Sequence, residues 1–329
     1  MIDTIKFDIP VHLSEDEINN IKWTKTNTTV SKKNRTRPTA FHFIYDEQRI
    51  GDPHILYVYK QDEPSKSWLK VEVSVPKFMY GNNLKEIDHR DLQSFMSLLR
   101  KHIADKLNLT LPRIPSLWTT EIEKLHLCKN FYVGNLKQQY LQALSKAKKA
   151  RHKKQIYYQS GTENVESVYW KTNSRTEKVY DKDAEMASNK KENSQPQKTK
   201  GTIRYEVELS NYELRKLSNK RIADEVLNFS SLEKILGGYL DNLGISQSRS
   251  VDTVMKAIKV STLNQKQKQH LIQFAKAFFV EGELCCRTLY SRSKFYELKK
   301  ELETLLGVSS LLITEKSLHP LEIKKETVQ

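Results

Sequence analysis

Two periods of hydrophobic placement divide this chain. Up to about residue 215 apolar side chains mostly alternate with polar ones, the period of a strand whose two faces meet different surroundings. Thr4–Val11 alternates Ile5, Phe7 and Ile9 with polar neighbours. Ala40–Tyr45 and His54–Lys60 read as aromatic-rich strands. Leu69–Val75 sets Leu69, Val71, Val73 and Val75 against Lys70, Glu72 and Ser74, and Pro76 closes it. Glu121–Val133 opposes Leu125 and Leu127 to Lys124, His126 and Cys128. Residues 165–209 give two strands joined by a Thr-Asn-Ser-Arg turn, then a polar loop and a third strand. On the second of these Tyr180 and Lys182 share a face. On the third Arg204, Glu206 and Glu208 share one, and Ile203, Tyr205, Val207 and Leu209 take the other.

A helical period interrupts the strands at Asp91–Leu107 and from Leu136 to about Lys149. Beyond residue 215 it takes over, at Ser230–Leu243, Ser250–Ile258, Gln265–Glu281 and Lys294–Leu306. Residues 24–39 are polar and basic and read as a mobile loop, as does the nearly apolar-free stretch at about 186–200. No internal repeat is visible. The element order predicts an α+β fold: an antiparallel sheet with helices on one face over residues 1–215, then an all-helical C-terminal region over 216–329. An antiparallel sheet can leave its second face open. Strand parity collects Glu72, His126, Tyr180, Lys182, Glu206 and Glu208 there, although any such sheet places polar residues on that face.

Charge narrows the partner. Lys and Arg number 55 against 40 Asp and Glu, a formal net charge of +15, which points to an anionic partner and foremost to nucleic acid. The run SKAKKARHKK carries Lys146, Lys148, Lys149, Arg151, Lys153 and Lys154 with no acidic residue, a block suited to backbone phosphates or to a solvated helix end. Lys32, Lys33, Arg35 and Arg37 form a second basic cluster. Near the C-terminus TLYSRSKFYELKK reads as the second half of a helix-turn-helix or as a generic amphipathic helix. Ser291 can cap it, and Arg292 and Lys294 sit at the end that meets DNA. Cys128, Cys285 and Cys286 make neither a zinc spacing nor a disulfide framework, which fits a reducing cytoplasm. The opening MIDTIKFDIP alternates as an edge strand would and has no signal-peptide core. No apolar run approaches the ~18 residues of a membrane span, so no membrane partner is expected.

A tyrosine, a lysine and carboxylates on one open face can cut a phosphodiester and hold the cut end covalently. A phenol is a weak nucleophile at neutral pH because its pKa is near ~10. A divalent cation on the scissile phosphate would offset the developing charge. Glu206, Glu185 and His126, with Glu72 in reserve, would suit Mg²⁺ or Mn²⁺, and Lys182 would steady the phenolate or phosphate. The plainer reading is that Tyr180, one of 15 tyrosines, packs in its strand.

The segments Tyr-Asp-Lys-Asp-Ala-Glu (180–185), Arg-Tyr-Glu (204–206), VEVSVPKFMYGNN (71–83), VYWKTNS (168–174) and YSRSKFYELKKELETLLGV (290–308), with the MIDTIKF start, resemble the gene II/gene X replication initiators of filamentous phages and related plasmids. The resemblance runs over nearly the whole chain. It implies a rolling-circle initiator or relaxase-like sheet and site-specific nicking of an origin strand by Tyr180. A tyrosyl–DNA bond and a free 3′ hydroxyl would result. A host polymerase and helicase would then act in the bacterial cytoplasm before the strand is rejoined. It departs at 124–126, where the family usually has Arg-Ile-Asp and this chain has Lys124, Leu125 and His126. That leaves metal preference open. Tyr157, Tyr158 and Tyr169 are candidates for a second acting tyrosine. The rival readings are a non-catalytic DNA-binding regulator of replication or copy number, and a mobilisation relaxase. If Arg292 and Lys294 read the origin, the Arg292→Ala/Lys294→Ala double variant should bind origin duplex more weakly in a gel-shift titration. Unchanged affinity and specificity would remove them from the interface.

Overall fold

A computed structural model describes residues 1–30, 38–45, 49–60, 63–147, 149, 151–188 and 200–323. Ten strands form one sheet: β1 (Ile2–Pro10), β2 (Lys25–Val30), β3 (Pro38–Tyr45), β4 (His54–Tyr59), β5 (Trp68–Ser74), β6 (Glu121–Tyr132), β7 (Lys153–Tyr158), β8 (Val165–Lys171), β9 (Arg175–Asp181) and β10 (Thr202–Leu209). Their spatial order is β2-β3-β4-β5-β1-β6-β10-β9-β8-β7, and every pairing is antiparallel. The helices are α1 (Glu15–Asn20), α2 (Val75–Tyr80), α3 (His89–Lys106), α4 (Lys137–Lys146), α5 (Lys182–Ser188), α6 (Asn211–Leu214), α7 (Ala223–Val226), α8 (Phe229–Asp241), α9 (Val251–Val260), α10 (Gln265–Cys286) and α11 (Arg292–Leu306). The chain is thus α+β, with a large antiparallel sheet and helices that include a C-terminal set. No described helix is long and apolar enough to cross a membrane.

Alternation explains the main layer. Ile5, Phe7, Ile9, Leu69, Val71, Leu125, Leu127, Ile203, Tyr205 and Val207 share one side of the sheet. With the apolar stripes of α3, α4 and α8 they make one buried core. Local signals start the helices where the period begins. Asp88 accepts from the Asp91 backbone at 2.9 Å while the Asp91 side chain accepts from the Asp88 backbone at 3.2 Å, a reciprocal cap for α3. Ser291 caps α11 by accepting from the Lys294 backbone. Pro76 does not simply end β5. It lies in the first turn of α2, where a fixed φ and a missing donor cost nothing.

Several expectations shift. The opening strand is not an edge: β1 lies between β5 and β6 at the middle of the sheet. Alternation reports two unlike faces and says nothing about how many neighbours a strand has. Part of the expected loop at 24–39 is β2, and Lys32, Lys33, Arg35 and Arg37 lie outside the described residues. Of the expected mobile loop at about 186–200, Met186 is buried in α5, and residues 189–199 lie outside the described set. Residues 211–241 add α6 to α8 to the first core. A separate core gathers Val254, Ile258, Leu271, Phe274, Phe278, Phe295, Leu298 and Leu302 from α9, α10 and α11.

The basic run is not a helix end. α4 stops at Lys146 and β7 begins at Lys153. Lys149 turns inward beneath β9, pairs with the fully buried Glu177, and donates to the Tyr239 carbonyl at 3.1 Å. The Tyr205 hydroxyl donates to Glu177 at 2.6 Å and Arg175 Nε donates to it at 3.1 Å. A carboxylate with no exposure is tolerable only with such partners. Removing the cation by Lys149→Ala should lower unfolding free energy by roughly 3 kcal/mol in urea denaturation, whereas a phosphate contact would lose DNA affinity with stability unchanged.

Candidate active site on the polar face

β9 and β10 set Arg204 opposite Tyr180 and Glu206 opposite Lys178. These four side chains project from the side of the sheet away from the core. β6 adds Cys128 opposite Glu206 and His126 opposite Glu208. The Tyr180 hydroxyl donates to Glu206 Oε1 at 2.6 Å, and Lys178 pairs with Oε2. Arg204 Nε lies 2.8 Å from Glu206 Oε1, an ion-pair contact at an angle too poor for a hydrogen bond. The other guanidinium nitrogens donate to the Asn83 carbonyl at 2.6 Å and to the Asp3 carboxylate.

Lys182 is not a strand residue. β9 ends at Asp181, and Lys182 opens α5. Its ammonium nevertheless stays beside the tyrosine, 6.0 Å from the ring centroid. It donates to Asn83 Oδ1 at 2.8 Å and pairs with Glu185 one turn along. Asn83 follows the left-handed Gly81 that caps α2, and this turn brings Asn83 to Arg204 of β10. Lys178, Lys182 and Arg204 thus balance Asp3, Glu185 and Glu206.

Most of this cluster is enclosed. Arg204 and Lys182 are 0% exposed, Glu206 4% and Tyr180 9%. Burial pushes the Tyr180 phenol well above its ordinary value; Arg204 opposes that shift and Glu206 adds to it. Burial also resists ionisation of Glu206, yet Arg204 and Lys178 hold its carboxyl down to about 2. Lys182 is pushed below its ordinary value by burial and by Arg204, with Glu185 pulling the other way. The Tyr180 hydroxyl is therefore a protonated donor resting on a firmly ionised carboxylate.

The expected metal ligands are only partly gathered. Glu206 and Glu185 belong to the cluster. His126 lies one register row away, with Nε2 buried, without a hydrogen-bond partner and 3.6 Å from Glu208 Oε2. Burial lowers its pKa, against Glu208. Glu72 pairs with Lys6 at 3.7 Å on β5, three strands from β10 and so roughly 14 Å away at the usual strand spacing. Among the described residues no group of three or more His, Cys, Asp or Glu side chains converges to hold a metal. Both oxygens of Glu206 face the cations or the phenol. As placed, these residues do not fit a divalent cation.

The expected DNA contacts also separate. Arg151 and Lys153 are exposed. Lys154 donates to the Ser145 carbonyl, Lys149 is the buried partner of Glu177, and Lys148 lies outside the described residues. Lys146 donates to the Phe279 carbonyl of α10, beside the non-helical Gly282 at φ 71°. A kink opens helical carbonyls to outside donors, and Lys146 supplies one here. Arg292 is exposed at the start of α11, and Lys294 pairs with Glu297 at 2.7 Å.

Sequence reasoning missed Asp3, Asn83 and Lys178 as members of the cluster. Lys178 had a signal, being two residues from Tyr180 on the same strand. Asn83 lay inside the 71–83 segment. Asp3 had none: the β1–β6 register slips between Ile2 and Thr4, and such an irregularity re-aims a side chain. No protein-family model matches the chain, and no curated protein matches it.

Glu206 yields a pH prediction. Its folded pKa of about 2 lies below the ordinary 4.5, so its stabilisation is complete above about pH 4.5 and is lost as pH falls towards 2. Urea midpoints followed from neutral to acid pH should fall across that window by the equivalent of about 3 kcal/mol. Glu206→Gln should start lower at neutral pH and lose that part of the slope.

Proposed function

We propose that the chain is a tyrosine nickase that cuts one strand of a phage or plasmid origin and later rejoins it, on a relaxase-like sheet. What supports the reading is the convergence of Tyr180, Lys182, Glu185, Arg204 and Glu206 with Asn83 into one hydrogen-bonded cluster. These residues come from separated segments that sequence resemblance had picked out independently. The formal charge of +15 supports a DNA substrate.

In the proposed step the Tyr180 oxygen forms a bond to phosphorus and the bond from phosphorus to the 3′ oxygen breaks. The products are a 5′-phosphotyrosine and a free 3′ hydroxyl, and a second transesterification reverses the linkage. The phenol proton has a path to Glu206 Oε1. A carboxylate with pKa about 2 is a weak base while two cations hold it. An incoming phosphate would draw Lys178 and Arg204 towards itself, make Glu206 more basic, and receive their charge as the transition state forms. The resemblance favours Mg²⁺ or Mn²⁺, but among the described residues the donors do not converge. A host polymerase and helicase would use the freed 3′ end and the displaced strand.

The enclosure of Tyr180 favours a second reading, a DNA-binding regulator in which the cluster serves the fold alone. One assay separates the two. Supercoiled DNA bearing the origin, mixed with protein and Mg²⁺ or Mn²⁺ and resolved on a denaturing gel, should give nicked circles with protein on one 5′ end. EDTA and Tyr180→Phe serve as controls. Loss of nicking by at least about a thousandfold in Tyr180→Phe, with DNA binding kept, is the expected outcome. Origin binding without cleavage in the parent protein would favour the regulator. A Tyr180→Phe variant that still nicks would move the nucleophile elsewhere.

A further inference from the structure

Between the outer edge of the sheet and Tyr180 the polar face carries rings and lysines outside the tyrosine-centred cluster. β7 is the end strand. Its polar-face residues Lys153, Gln155 and Tyr157 are all exposed and stand opposite Lys171, Tyr169 and Ser167 of β8. Those stand opposite Thr176, Lys178 and Tyr180 of β9. Tyr157, 48% exposed, meets Tyr169 edge-on, with ring centroids 5.3 Å apart and planes at 71°. The Lys171 ammonium lies 5.3 Å from the Tyr169 centroid. None of the paired polar-face positions of β7 and β8 is acidic, and Glu166, at the register slip of β8, is the nearby carboxylate that bears on Tyr169.

We propose that this strip is a binding track for single-stranded DNA. Unpaired bases stack on Tyr157, in the register row of Tyr180, and on Tyr169, and the phosphates lie on the side of Lys153 and Lys171, whose row ends at Thr176. Aromatic rings set among lysines bind single strands without sequence preference, because every base offers a face to stack. Duplex DNA hides those faces. The step from β7 to β9 is roughly 10 Å at ordinary strand spacing, about three bases at the ~3.4 Å stacking rise. A second copy adding a strand to β7 fits less well, since lysines along an edge oppose strand addition. The delivery of the strand to Tyr180 rests on the nickase reading; the binding does not.

The test is equilibrium binding, kept apart from cleavage. In a Tyr180→Phe background, fluorescence anisotropy would follow a labelled oligothymidylate of about 12 nucleotides. Tyr157→Ala and Tyr169→Ala should each weaken binding on the order of tenfold, and Phe at either position should keep it. Tyr212→Ala, an exposed ring on α6, should bind as the parent does. Lys171→Gln should reduce the slope of log affinity against log salt by about 0.7. Unchanged affinity in a Tyr157→Ala/Tyr169→Ala protein with parental circular dichroism overturns the track, whatever the nicking assay gives. So does tighter binding of oligouridylate, or a change in sedimentation with affinity untouched, which would assign the edge to a second copy. Should the alanine variants fail to fold, Lys153→Glu/Lys171→Glu decides: about tenfold or more weakening supports the track and parental affinity removes it.

Discussion

Arg204 has no exposure, and a buried guanidinium must be matched by charge and hydrogen bonds or the fold will not hold it. That requirement organises the polar face. It draws Asp3 from the first strand, the Asn83 carbonyl from the turn after α2, and Glu206 from the next position on the same face of β10. Glu206 then has oxygens for Tyr180 and Lys178, and Asn83 has a side-chain oxygen for Lys182. The phenol is positioned as the last member of a chain of compensations that starts at the arginine. The chemistry proposed for Tyr180 would therefore draw on the same few contacts that hold the fold.

Much of this was legible because the relevant periods are short. The strands around Glu72, His126, Tyr180 and Glu206 and the long helices fall within a few residues of their expected places, since alternation and the helical stripe each report a burial pattern directly. What alternation left open was the neighbour of each strand. It made Glu72 a companion of Glu206 because both are acidic and face the same way, whereas the sheet order sets β1 and β6 between their strands. It also continued β9 through Lys182, where the chain has already turned into α5.

The inward turn of Lys146 and Lys149 was hidden for a different reason. A block of lysines without acidic neighbours in sequence has every appearance of a solvated phosphate-binding surface. Its acidic partner, Glu177, lies 28 residues further on, on β9, two strands in from the edge strand β7. Charge compensation across such a separation leaves no local trace, and the same holds for the Phe279 carbonyl that takes Lys146. Only the side chains with no such appointment, Arg151 and Lys153 among them, are left facing water.

Two of the contacts that hold the C-terminal part meet on one helix. Lys146 at the end of α4 holds α10 at its kink, and Tyr140, two turns earlier, donates to the His319 carbonyl of the returning tail at 2.7 Å. The same helix packs on β8 and β9, the strand of Tyr180. The helical tail is therefore not a freely exchangeable cassette. A chain carrying a different tail would have to bring a broken helix for Lys146 and a returning strap for Tyr140. Recombination within this architecture is expected to carry α4 and the tail together as one inherited block.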